Sequence, residues 1–184
     1  MERAGLIGGG NGWRIAGWTI VGAALAVPLV AMQITQQVAW TLSDFVLLGA
    51  LLGGAGLAME ILVRVTDDRA YRAAMALALG GCVALLVIDG AVGIIGGERD
   101  DANLLFAAVL AVGLIGAILT RFRAAGMRGV MTAMAVVQAL VPVFAYAAMP
   151  GAREALVQPE VTGATLVFVA IWLMSGWLFR MAAR

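Results

Sequence analysis

The sequence predicts an all-α, polytopic membrane protein: a bundle of six transmembrane helices in one domain over 1–184, with both termini cytoplasmic. Three observations carry that expectation. Apolar residues make up 63% of the chain and charged residues 12%, at a mean hydropathy of +1.00. Six apolar windows are long enough, or nearly so, to cross a bilayer. The arginines gather on alternate connections between those windows. Soluble domains run about 45–50% apolar and about 25% charged. A soluble globule, a disordered segment and a collagen-like fibre are therefore excluded. A net charge of +1 offers no broad field for nucleic acid, so none is expected as a partner.

A helix needs roughly 20 apolar residues to span about 30 Å of hydrocarbon. The six windows are 15–34, 45–63, 73–96, 104–119, 129–149 and 161–179. Backbone in lipid must satisfy its own hydrogen bonds, which favours helices, and no window shows the alternation of a membrane strand. The first window contains Pro28. Arg3 ahead of it and the small Ala24-Leu25-Ala26 resemble a secretory signal, but the apolar run continues to Ile34 and is too long for one. Ser43-Asp44 caps the second window, and Glu98 to Asn103 leads into the fourth. Pro159-Glu160 opens the sixth. Acids at a helix start suit its dipole. This explains the Glu98, Asp100 and Asp101 carboxylates better than a hard cation does.

Orientation follows from arginine. Arg3, Arg14, Arg64, Arg69, Arg72, Arg121, Arg123, Arg128, Arg180 and Arg184 fall on one set of connections, and only Arg99 and Arg153 on the other. The acids Asp44, Glu98, Asp100, Asp101, Glu154 and Glu160 accompany the second set. The positive-inside rule then puts both ends of the chain in the cytoplasm. The loop from Arg121-Phe122-Arg123 to Arg128 is a solvated turn that can also touch anionic headgroups. Asp44 to Arg64, Asp101 to Arg121 and Glu160 to Arg180 repeat one spacing. Three copies of one hairpin would give this rhythm, but so would any six-span protein obeying the charge rule.

Missing residue types narrow the chemistry. The chain has no histidine and no lysine, and Cys82 is its one cysteine. Schiff-base cofactors, bis-histidine haem, zinc-protease motifs, serine–histidine hydrolysis, internal disulfides and cysteine-ligated clusters are all excluded. No cofactor and no metal are expected. Met127, Met131 and Met134 follow one face of the fifth span. They read as gap fillers rather than as a copper site.

Small residues let membrane helices approach closely. Gly49, Gly53, Gly56 and Glu60 share a face of the second span, as do Cys82, Asp89, Gly93 and Gly96 on the third, and Gly113 and Gly116 mark the fourth. These glycines are expected to serve helix packing. Glu60 has Arg64 one turn away in the favourable order, which makes an ion pair. Asp89 has no such partner. It lies about 25 Å along its helix from Arg72 at 1.5 Å per residue, and an acid at such depth is paired or functional. Gln33 and Gln138, both within apolar runs, are its candidate polar neighbours. Asp89 is then either a hydrogen-bonding acid or a titrating group on an ion path.

Asp89-Gly90-Ala91-Val92-Gly93-Ile94-Ile95-Gly96, followed by Ala102-Asn103-Leu104 and by Ala111 to Ala117 and on to Arg121-Phe122, resembles a family of small multi-spanning bacterial inner-membrane proteins. Trp40 with Asp44, and Trp172 to Arg180, extend the likeness more loosely. The resemblance implies a six-helix protein of the bacterial inner membrane and brings no activity with it. Family members often carry asparagine at the position of Asp89, implying a need there for hydrogen bonding rather than charge.

Two functions fit these readings. The first is a non-catalytic subunit, assembly factor or stabiliser that packs against other membrane proteins, lipids or a second copy of itself. The second is a small-solute or ion transporter, or the substrate-binding membrane subunit of an uptake system, with Asp89 in the pathway. Compact six-helix proteins of this length resemble the vitamin-binding subunits of energy-coupling-factor importers. Pro28 and Pro142 are the candidate helix breaks that transport would use. An intramembrane enzyme would have only Asp89, Glu60 and hydroxyls to work with, so no enzymatic activity is expected.

Overall fold

The computed structural model describes residues 12–34, 40–97 and 100–184. Arg3, Glu98 and Arg99 lie outside them. The described chain is helical, with no strand among its residues. Its elements are α1 (Gly12–Ile34), α2 (Leu42–Val65), α3 (Arg69–Ala91), a 3₁₀ turn (Asp101–Leu105), α4 (Phe106–Leu119), α5 (Ala124–Ala148), a 3₁₀ turn (Pro150–Ala152), the short α6 (Arg153–Leu156) and α7 (Pro159–Ala182). Among the described residues, six helical segments are long and apolar enough to cross a membrane. The chain divides into two compact units, Met1–Val65 and Thr66–Arg184.

Most helices outrun their apolar windows. α5 begins at Ala124 rather than 129, and α7 ends at Ala182 rather than 179. Hydropathy falls at the first arginine, whereas backbone hydrogen bonding continues through it, because an arginine side chain leaves the i to i−4 backbone bonds intact. The fourth span gains length differently. Fourteen residues of α4 rise about 21 Å at 1.5 Å each. The preceding five-residue 3₁₀ turn adds about 10 Å at 2.0 Å each, which brings the segment to bilayer thickness.

The third span is the exception. It ends at Ala91, not 96, and Gly93 and Gly96 stand beyond it with φ of +72° and +74°. They are turn residues, not helix-packing residues. A Cβ at Gly93 would overlap the backbone of Gly97, and one at Gly96 would come within 2.7 Å of the Asp100 carboxylate. Both reasons demand glycine.

The first unit is a helical hairpin. Thr41 precedes α2, and the Asp44 carboxylate accepts its N–H at 2.6 Å and its hydroxyl at 2.8 Å. This is the returning half of a capping box, centred on Thr41 and not on Ser43. Trp18 of α1 lies over Gly56 of α2, 3.4 Å from where a Cβ would stand.

The second unit is ordered by α7 and α5. α7 packs against both α3 and α5, and α5 also packs against α4. Van der Waals fit and close approach join these helices, as they do membrane helices in general. Glycines supply that fit. Cβ atoms at Gly113 and Gly116 of α4 would lie 2.8 Å from Met134 and Val130 of α5. One at Gly81 of α3 would lie 2.8 Å from Ile171 and Trp172 of α7. Met127, Met131 and Met134 are buried core fillers.

Candidate functional site

The polar side chains buried within the second unit form its candidate site, and α7 is its spine. Thr165, Phe168, Trp172, Ser175, Gly176 and Phe179 are all buried and recur at helical spacing. Phe168 stacks on Trp172 with centroids 6.3 Å apart. The indole fits because Gly81 has no side chain to oppose it. Ser175 Oγ donates to the Ala74 carbonyl of α3 at 2.9 Å. Gly176 brings the chain against Met131 and the Arg128 carbonyl of α5.

Gln138 of α5 is fully buried, and its Oε1 accepts a long 3.4 Å bond from Trp172 Nε1. Its Nε2 has no partner among the described residues, and neither does the buried Thr165 Oγ1. Pro142, inside α5, has no N–H to offer the Gln138 carbonyl four residues back. Gln138 is therefore a polar node at mid-span that its neighbours satisfy only in part.

Asp89, near the end of α3, is half-buried, and its Oδ1 is buried without a partner among the described residues. It does not meet Gln138. Trp172 faces both Gly81 and Gln138, which puts those two residues level. Asp89 lies two turns further on, about 12 Å along the axis. Gln33, the other neighbour expected of Asp89, belongs to the first unit and is exposed near the end of α1. Glu60 and Arg64 pair at 2.7 Å, with the arginine side chain 69% exposed. Such a pair contributes about 0.3–0.5 kcal/mol.

The residue that sequence reasoning placed only as a cap is Asn103. It is 5% exposed and holds the segment beyond α3 as a second backbone would. Its Oδ1 accepts from the amides of Ile94 and Ile95 at 3.1 and 2.9 Å. Its Nδ2 donates to the carbonyls of Ile95 and Gly97 at 3.2 and 2.6 Å. Both acceptor lone pairs and both donors of the amide are used. The available signal was Gly93 and Gly96 flanking Ile94-Ile95: an apolar stretch with two glycines can turn, provided something binds its backbone. Tyr71 was also missed. Its hydroxyl donates to the Phe122 carbonyl, and its ring packs edge-on to Phe179 at 5.3 Å.

Among the described residues, no three histidine, cysteine or acidic side chains stand together as a metal site would need. Among the described residues, the buried polar side chains include one carboxylate, two amides, two hydroxyls and the Trp172 indole N–H. That set can exchange hydrogen bonds, and it contains no paired nucleophile and base. No known protein family, curated protein or solved structure matches the chain.

Proposed function

We propose that the chain is a non-catalytic, multi-pass protein of the bacterial inner membrane, with both termini cytoplasmic, that works by packing against another membrane protein. The observation that carries this reading is the α2 stripe. Gly56 is covered by Trp18, but Gly49 and Gly53, on the same face, have no described residue of the hairpin within 4 Å of where a Cβ would stand. α1 and α2 bury little besides Pro28 and Leu48, while Val27, Leu29, Val30, Val46 and Leu47 are exposed. A glycine stripe that no described residue of its own hairpin covers has the surface that membrane helices use to associate.

The test is purification from native membranes in mild detergent, with mass spectrometry of what accompanies the protein. A stoichiometric protein partner is expected, lost in Gly49→Leu/Gly53→Leu while the variant still inserts and folds. A second reading, a transporter or substrate-binding subunit, draws on the partnerless Asp89 Oδ1. Recovery of the protein alone with a bound small molecule would favour that reading and overturn the first. Uptake into liposomes should then fail in Asp89→Asn.

A further inference from the structure

At one end of the second unit four elements converge. Tyr71 of α3 bonds the Phe122 carbonyl in the α4–α5 turn and packs on Phe179 of α7. The Arg128 carbonyl of α5 lies 3.5 Å from where a Cβ would stand at Gly176 of α7. These contacts gather Arg69, Arg72, Arg121, Arg123, Arg128 and Arg180 against two acids, Asp67 and Asp68. Both acids are engaged. Asp67 pairs with Arg72 at 3.0 Å, and Asp68 caps α3 by accepting the Tyr71 N–H. Arg121, Arg123, Arg128 and Arg180 are exposed and form no ion pair with a described carboxylate. The opposite end is acidic, with Asp100, Asp101, Glu154 and Glu160 around Arg153.

The α4–α5 turn within this cluster is held in a costly shape. Arg121 and Phe122 have φ of +50° and +57°, a left-handed conformation that costs a non-glycine residue about 1–2 kcal/mol. Hydrogen bonds hold it: the Arg123 amide donates to the Thr120 carbonyl at 3.1 Å, and three more follow. The Phe122 amide donates to the Ala117 carbonyl and the Arg121 amide to the Ile118 carbonyl, each at 3.0 Å. The third comes from Tyr71. The Phe122 and Arg121 amide bonds form a Schellman closure with arginine where glycine is usual. The result presents two guanidinium groups with an exposed apolar ring, Phe122, between them.

We infer that this turn binds the headgroup of an anionic phospholipid, its guanidinium groups on the phosphate and Phe122 in the adjoining acyl region. Guanidinium forks match phosphate geometry, and basic residues at a membrane surface attract anionic lipid. The apolar ring between the arginines, at the end of a span, suits a lipid better than a soluble phosphate. The inference rests on the helices crossing a membrane. A protein that fails to reconstitute into bilayers would show that premise wrong, separately from lipid choice.

The full chain is reconstituted in equimolar phosphatidylcholine and phosphatidylglycerol, then re-extracted in mild detergent, and the retained lipid is quantified by mass spectrometry. Phosphatidylglycerol should be enriched over the input. The enrichment should fall about fivefold in Arg121→Gln/Arg123→Gln, fall less in Arg121→Lys/Arg123→Lys, and be untouched by Arg153→Gln at the acidic end. The lysine variant separates lost charge from lost folding. A wild-type ratio equal to the input, or an unchanged glutamine variant, would overturn the inference. So would displacement of the lipid by soluble glycerol phosphate.

Discussion

Asn103 replaces secondary structure at a point where α3 has ended and the chain is still apolar. The amides of Ile94 and Ile95 and the carbonyls of Ile95 and Gly97 depend on it, and Ile95 is fully buried. Asn103→Leu keeps the volume and removes all four bonds. Unsatisfied buried groups cost about 1–3 kcal/mol each, so a loss of about 3 kcal/mol is expected once part of the loop turns to water. The Ile94 and Ile95 amides should then exchange hydrogen much faster. Unchanged exchange at those two amides would show that the clamp is not what protects them. Two neighbouring glycines make a second residue-scale contrast. Gly81→Ala pushes a methyl to within 2.8 Å of Ile171 and Trp172, an overpacking of about 1–3 kcal/mol. Gly80→Ala meets open space and should stabilise α3 by up to about 1 kcal/mol. Thermal unfolding in detergent should separate the two variants clearly. Neither effect was legible in the sequence, because Gly80 and Gly81 differ only in which of them faces α7.

At the scale of elements, hydropathy located all six spans but misplaced their ends. An apolar window measures what lipid accepts, whereas a helix stops where its backbone finds other partners. Gly93 and Gly96 mark that difference on α3: both are apolar enough to extend the window, and both adopt a left-handed backbone that ends the helix. α4 shows the converse, since polar Asp101 and Asn103 lie in a 3₁₀ turn that completes its span. The turn after α4 offers a test of stored strain. Arg121→Gly removes the left-handed penalty at the first of its two strained residues, against a larger entropy loss on folding. A net stabilisation of about 0.5–1 kcal/mol is expected. A lower unfolding temperature in Arg121→Gly would mean that the arginine side chain contributes more than its backbone costs.

For the whole molecule, the legible feature was charge, and charge also makes the boldest statement about topology. Asp89, Gln33 and Gln138 looked combinable in sequence because apolar runs leave few polar residues to choose among. The register of α7 against α3 and α5 separates Asp89 from Gln138, and no sequence spacing could have supplied it. The asymmetry of the two ends of the second unit needs no register. Arg121, Arg123, Arg128 and Arg180 lie at one end, and Asp100, Asp101, Glu154 and Glu160 at the other. If insertion follows the basic residues, Glu160→Cys should react with a membrane-impermeant maleimide on intact spheroplasts. Arg123→Cys should react only after the membrane is opened. Both variants belong in a Cys82→Ala background, because Cys82 is the sole native thiol and is only partly buried. The two positions bracket spans on opposite connections, so reciprocal labelling fixes the unit's orientation without reference to the first hairpin. The reversed pattern would put the arginine cluster on the outer face. The anionic lipid inferred for the α4–α5 turn would then have to come from the outer leaflet, and the cytoplasmic placement of the chain's end would be overturned.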